Sequence, residues 1–175
     1  MSKNATITLR QFLDKKKNFV IPNYQRGYIW GKARGSEKNS VEYVLESIQN
    51  SLDNNTELFM QGITVTENEN EIILIDGQQR TTFFYLLLTC LKYQGVFNLD
   101  YPIRKESDEF LKGLKGKTEH ELEEIYLESP NEEFQDIHYF KKTIRLIFDR
   151  ARGWNIDKIL DNVQFLYITI PEEKA

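Results

Sequence analysis

The sequence lacks several features that define large classes of protein. It has one cysteine, Cys90, which excludes an internal disulfide. No apolar run reaches the ~18 residues of a transmembrane helix and no signal-peptide pattern occurs, so we expect a soluble cytoplasmic protein that makes no membrane contact. The Gly-Lys-Ser/Thr loop of P-loop NTPases and the GxGxxG motif of dinucleotide-binding domains are both absent. The two histidines, His120 and His138, have no partners at metal-ligand spacing.

The composition is that of a folded domain with unevenly distributed charge. The chain has 175 residues, of which 40% are hydrophobic and 13% aromatic, enough for one domain or for one domain and part of a second. The net charge is only -4, but basic residues concentrate in 10–38 and 141–152 and acidic residues in 119–136. Basic patches of this kind permit an anionic partner, and they are equally typical of solvated helix faces.

A polar cluster lies between two strongly apolar segments in residues 72–92. Ile72–Ile75 is short and β-branched, which predicts a strand buried on both faces. Phe83–Leu91 is apolar on every side, which predicts a core helix, with Cys90 as a small core residue. Polar groups between two buried elements are costly unless they are satisfied by each other or by a ligand.

Residues 77–82 of this cluster suit the binding of an anion. Gly77 allows a tight turn and the close approach of a ligand. Thr81 and Thr82 fall at the predicted start of the helix, where unpaired N–H groups favour phosphate. Arg80 offers a planar set of donors that matches phosphate oxygens.

The remaining polar residues of the cluster suit a metal ion or a water molecule. Asp76 can hold Mg²⁺ directly or through water, or it can accept a proton from an attacking water. Gln78 and Gln79 can orient a water or hydrogen-bond to a base edge. A structural alternative stays open, in which Asp76 caps the helix and pairs with Arg80.

The segment Pro22–Trp30 is an unusually aromatic loop. It contains two tyrosines and a tryptophan together with Gln25 and Arg26, and it has neither a helical nor a strand period. Loops generally lie at the surface, so this composition indicates a binding loop in which packed aromatic residues aim the glutamine and the arginine. Alternatively, the aromatic residues only cover the core.

Periodicity predicts the rest of the secondary structure. Thr8–Gln11 has the spacing of a capping box, and Phe59, Gln61, Ile63 and Val65 share one face of a strand. The further elements are a strand at 18–21, a helix at 40–52, a hairpin of 59–67 with 72–75, a partly helical excursion at 100–117, an acidic helix at 119–127, an amphipathic helix at 134–151, a short helix at 154–160 and a strand at 163–170.

Two motifs resemble the signature stretches of a known family. Ile21–Trp30 and Ile75–Thr82 are similar to those of the GmrSD restriction-endonuclease N-terminal domain family, and Phe59–Val65 between them resembles a glycine-bearing strand of that family. The resemblance implies an α+β, ParB/sulfiredoxin-like fold, a small mixed sheet with packed helices. We therefore expect a ParB-like nucleotide- or DNA-binding core at 1–95 and a mostly helical extension at 96–175 that ends in a strand.

The resemblance also implies a function and a set of partners. It implies nucleotide binding, with Mg²⁺-dependent hydrolysis of a nucleoside triphosphate, in a modification-dependent restriction and phage-defence system. An HNH-type nuclease domain or subunit and modified DNA are the implied macromolecular partners. One alternative is a DNA-binding or modification-sensing module without catalysis, and another is a domain that docks onto a second chain.

Site residues follow from the motif positions. The resemblance implies catalytic roles for Asp76, Gln78, Gln79 and Arg80, with Asp76 as the metal ligand. It implies nucleotide or phosphate contacts for Tyr24, Gln25, Arg26, Tyr28, Trp30, Gly77, Thr81 and Thr82. In the family, the strand that matches 163–170 leads into an Asn-x-Arg-Gly-like motif and further helices. The sequence ends at Ala175, so we expect a truncated N-terminal part with an incomplete pocket.

Overall fold

A computed structural model describes residues 3–22, 27–30, 32, 38–127 and 134–171. Six strands and seven helices occur within these ranges, which confirms the predicted α+β fold with a small mixed sheet and packed helices. In chain order they are β1 Lys3–Thr8, α1 Leu9–Leu13, β2 Asn18–Val20, α2 Ser40–Asn54, β3 Leu58–Glu67, β4 Glu71–Asp76, α3 Gln78–Cys90, β5 Leu99–Asp100, α4 Lys105–Leu114, α5 Glu119–Leu127, α6 Gln135–Arg150, α7 Ile156–Asn162 and β6 Val163–Thr169.

The six strands form one sheet in the order β1-β6-β3-β4-β2-β5. β1 pairs with β6 and β3 pairs with β4 in antiparallel fashion, whereas the β3–β6, β2–β4 and β2–β5 pairs are parallel. The antiparallel β3–β4 pair is the predicted hairpin. Because β6 lies between β1 and β3, the sheet joins strands from both sides of residue 95.

Strand β4 is buried mainly on one face, which corrects the prediction of burial on both faces. Ile72 and Leu74 are fully buried and belong to the main core. Ile73 and Ile75 are only partly buried and lie outside that core, on the opposite face of the sheet. Successive side chains of a strand point to opposite faces, and the core cluster formed with the helices covers one of them.

Helix α3 is the central core helix that the sequence predicts. Its ten residues from Thr81 to Cys90 are all buried, and it packs against α6. Burial also raises the pKa of the free Cys90 thiol. Among the described residues, no helix combines the length and apolar character that a membrane crossing requires.

The local signals of the sequence differ in how well they predict the structure. Thr8 and Gln11 form the expected capping box of α1. The predicted common face of β3 is wrong, because Ile63 is buried whereas Phe59 is 57% exposed. The register of β3 against β6 shifts between Phe59 and Gly62, and Gln61 adopts a left-handed backbone with φ of 62°. Such a bulge turns the preceding side chains to the other face of the sheet.

Candidate functional site

The strand-to-helix joint is built around Gly77. Its φ of 94° lies in the left-handed region, and a Cβ there would lie 3.0 Å from Cγ1 of Ile63. Glycine therefore satisfies both the backbone conformation and the close packing at this position. α3 begins directly after it, so Gln78, Gln79 and Arg80 form the first helical turn, earlier than the sequence indicated.

Asp76 presents an uncommitted carboxylate at the end of β4. Its side chain is exposed, and no described residue hydrogen-bonds or forms an ion pair with that carboxylate. The N-cap of α3 is Gly77, and no side chain caps the helix. The described contacts therefore contain neither the Asp76 cap nor the Asp76–Arg80 pair of the structural alternative.

Arg80 is a partly buried cation without a carboxylate partner among the described residues. Its Nη2 donates to the carbonyl of Gly62, and its Nε is buried with no hydrogen-bond partner there. Burial lowers the pKa of the guanidinium, and the negative charge of Asp76 opposes this shift. A partly desolvated guanidinium that no described carboxylate contacts favours the binding of an anion.

The side chains of Thr81 and Thr82 point into the core. Thr81 is 1% exposed and its hydroxyl donates to the carbonyl of Gly77 at 2.9 Å. Thr82 is fully buried and its hydroxyl shares a 2.6 Å hydrogen bond with that of Tyr101. In the first turn, by contrast, helix geometry leaves backbone N–H groups without an intrahelical acceptor. Backbone donors of residues 78–80 are therefore better placed for phosphate than the two threonine hydroxyls.

The two glutamines of the motif occupy different positions. Nε2 of Gln79 donates to the carbonyl of Gly27, and its Oε1 accepts from the N–H of Ile29, both at 2.9 Å. Its amide thus joins the two signature motifs. Among the described residues, Gln78 donates to the carbonyl of Ile75, at 3.2 Å, and its side-chain oxygen has no donor there, which leaves that oxygen for a water or a ligand.

The aromatic loop packs against α3 and α6 in its described part. Tyr28 is 1% exposed, its hydroxyl bonds Thr143 at 3.0 Å, and burial raises its pKa. The Trp30 ring is half-buried, 5.9 Å from the ring of Phe83. Both rings thus cover the core, as in the alternative in which the aromatic residues of the loop only cover the core. Of these two rings, Trp30 retains exposed surface. Tyr24, Gln25 and Arg26 lie outside the described residues.

A buried carboxylate, Asp136 in the first turn of α6, was missing from the predicted site. It is 3% exposed and accepts hydrogen bonds from the Tyr28 N–H at 3.1 Å, from Ser107 at 2.8 Å and from Arg104 at 3.2 Å. In the sequence, Asp136 is the last residue of the acidic stretch 119–136, at the start of the predicted amphipathic helix. Acids are common in the first turn of any helix, so no local signal distinguished it.

Two of the five basic side chains at 141–152 pair with acids. Arg150 pairs with Glu42 at 3.1 Å, and Arg152 pairs with Glu119 and Glu123, both at 2.5 Å. These pairs reduce the positive charge that this region offers to an anionic partner.

The donor set around Asp76 suits Mg²⁺ but not a protein-only metal cage. The described residues contain no cluster of three or more His, Cys, Asp or Glu side chains that could hold a metal ion. Mg²⁺ commonly binds through one or two carboxylates together with substrate phosphates and water. The free carboxylate of Asp76 fits that arrangement.

Comparison with known proteins identifies one family. The sequence profile of the GmrSD restriction endonuclease N-terminal domain matches residues 9–175. The match extends beyond the two motifs to include α6 and β6. No curated protein matches the chain.

Proposed function

Because the chain belongs to the GmrSD restriction endonuclease N-terminal domain family, we propose that it binds a nucleoside triphosphate with Mg²⁺ at the start of α3. Membership makes the chain a component of a restriction and phage-defence system. Nucleotide binding, and hydrolysis that follows from it, would regulate restriction by a nuclease domain or subunit of the HNH type.

The observation that carries this proposal is the state of Arg80. The guanidinium is partly buried, only one carbonyl accepts from it, and its Nε lacks a partner among the described residues. Charge-assisted hydrogen bonds to phosphate are among the stronger polar interactions in proteins. A bound phosphate would accept from the Nη donors of Arg80 and would add to the negative charge that Asp76 already places near the guanidinium.

The neighbouring groups complete the proposed triphosphate site. The backbone N–H groups in the first turn of α3 and the positive end of the helix dipole add to Arg80. Asp76 would hold the Mg²⁺, which neutralises phosphate charge when it is bound. The free oxygen of Gln78 would orient a water, whereas the amide of Gln79 is committed to the loop.

The proposal is tested by calorimetric titration of the protein with ATP and with GTP, each with and without Mg²⁺. We expect saturable binding of at least one triphosphate, tighter with Mg²⁺, and slow release of inorganic phosphate in a parallel assay. Absence of binding at millimolar nucleotide would overturn nucleotide recognition. Binding without phosphate release would retain recognition and remove hydrolysis.

DNA recognition is the alternative, because Arg80 would donate hydrogen bonds to a phosphate of the DNA backbone as readily as to a phosphate of a nucleotide. This reading predicts affinity for duplex DNA that falls steeply with salt and is lost on Arg80→Met. A filter-binding titration with modified and unmodified duplexes at several salt concentrations separates the two functions. Competition between ATP and DNA would place both ligands on one site.

A further inference from the structure

Two side chains from distant parts of the chain hold the backbone of residues 27–30. Gln79 bonds the carbonyl of Gly27 and the N–H of Ile29. Asp136 accepts from the N–H of Tyr28, which lies between them. Side chains, not a helix or a strand, thus satisfy three backbone polar groups on the two consecutive peptide bonds between Gly27 and Ile29. Its conformation therefore depends on both of them.

Asp136 is itself held by a buried polar network. Its carboxylate is 3% exposed and receives donors from Arg104 on the N-terminal side of α4 and from Ser107 within α4. A buried carboxylate is tolerated when a counter-charge and hydrogen bonds compensate it, and these partners supply both. The network fixes the orientation of the carboxylate towards the loop.

The fit between Asp136 and the loop is close enough to require glycine at position 27. A Cβ at Gly27 would lie 1.6 Å from Oδ1 of Asp136, far inside van der Waals contact. Tyr28 continues along the same helix, with its ring 5.1 Å from that of Phe140 and its hydroxyl on Thr143. The segment is therefore seated on α6 over about two helical turns.

We propose that Asp136 is a positioning residue for the Arg80 site, an inference that rests on the proposed nucleotide function. Asp136 seats Tyr28, the adjacent Ile29 engages Gln79, and Gln79 precedes Arg80 in the first turn of α3. Loss of a hydrogen bond to the Asp136 carboxylate would make residues 27–30 more mobile. The side-chain amide of Gln79 would then lose its contacts with Gly27 and Ile29. The ligand would then have to order the segment on binding, which lowers its affinity.

The test uses two matched serine substitutions. Ser107→Ala removes one donor to Asp136, whereas Ser51→Ala removes a hydrogen bond to the carbonyl of Thr56 at the end of α2. The two serines are 4% and 5% exposed, so the substitutions should cost similar stability. These two variants, Asp136→Asn and the parent protein are all made with Trp154→Phe, which leaves Trp30 as the single tryptophan and as a reporter of the loop.

We expect Ser107→Ala to increase acrylamide quenching of Trp30 and to raise the Kd of Mg·ATP by about fivefold. Ser51→Ala should change neither quantity at equal loss of stability. Asp136→Asn should raise the Kd by at least about tenfold. If that variant does not fold, Ser107→Ala decides the question.

Three other results are informative. Unchanged Trp30 quenching in folded Ser107→Ala and Asp136→Asn proteins would overturn the seating of the loop by Asp136. Increased quenching with an unchanged Kd would overturn positioning and leave the proposed function intact. Absence of Mg·ATP binding by the parent protein would overturn the proposed function, and Trp30 quenching would then decide the role of Asp136 alone.

Discussion

The side-chain Oε1 of Gln79 accepts a hydrogen bond from the backbone N–H of Ile29 at 2.9 Å, across 50 positions of the sequence. The same amide donates to the carbonyl of Gly27. The two signature motifs are thus physically joined through a side chain of one and the backbone of the other. The role of Gln79 in this structure is to hold the loop, and Gln78 remains available to water or ligand.

Replacing Gln79 with methionine should destabilise the protein, because two backbone groups of the loop lose their partners. We expect the free energy of unfolding to fall by about 1–3 kcal/mol, measured by urea denaturation. Gln78→Met is the matched control, since Gln78 makes a single 3.2 Å bond to Ile75 and should cost less than half as much. Equal losses in the two variants would contradict the bridging role of Gln79.

Thr82 should contribute to stability and not to ligand binding. Its hydroxyl is paired with that of Tyr101 inside the core, so Thr82→Val leaves a buried hydroxyl unsatisfied and should cost about 1–2 kcal/mol. The double variant Thr82→Val/Tyr101→Phe should recover part of this loss, because no polar group is then orphaned. A raised nucleotide Kd in folded Thr82→Val would contradict this claim and would show that Thr82 contributes to nucleotide binding.

Asp76→Asn should weaken the Mg²⁺ dependence of nucleotide binding without lowering stability. The Asp76 carboxylate is exposed and bonded to no described residue, so loss of its charge should cost little beyond its weak electrostatic effect on Arg80. We expect the enhancement of affinity by Mg²⁺ to fall by about tenfold in calorimetric titrations. Asp14→Asn, another exposed aspartate, is the control and should bind like the parent. Retention of full Mg²⁺ enhancement in Asp76→Asn would exclude Asp76 as the ligand.

Buried tyrosines predict a loss of stability at high pH. Burial raises the pKa of Tyr28, Tyr85 and Tyr101 in the folded protein above the value of about 10 in an unfolded chain. Their neutral forms are favoured on folding, so this contribution is fully present below about pH 10 and is lost as the pH rises further. Tyrosinate absorbance should therefore rise together with the loss of circular dichroism.

Complete tyrosinate formation with an unchanged circular dichroism spectrum would contradict the burial of Tyr28, Tyr85 and Tyr101.

The sequence predicts elements well where a local pattern is strong. α3 is apolar on every side, α6 has a helical period of apolar residues, and the capping box of Thr8 and Gln11 marks the start of α1. β1 escaped prediction because Lys3–Thr8 is mostly polar and exposed and is a strand only through its pairing with β6. Long-range pairing of this kind leaves no local pattern.

The candidate site could be located from sequence but not assembled. The motif residues at 76–80 do lie at one joint between β4 and α3. Gln79 binds the loop backbone and Gln78 does not, and this difference depends on the path of the loop in the tertiary structure. Asp136 acts through a residue more than a hundred positions away, so its importance was equally invisible.

The most direct test of the central claim is a calorimetric titration of Arg80→Met with Mg·ATP beside the parent protein. Methionine keeps apolar bulk at the position but removes the cation that lacks a carboxylate partner among the described residues. Arg10→Met is the control, because Arg10 already pairs with Asp157 and Asp161. We predict a Kd raised by about tenfold to a hundredfold in Arg80→Met alone, with stability changed by about 1 kcal/mol or less. An unchanged Kd in folded Arg80→Met would contradict the assignment of this joint as the nucleotide site.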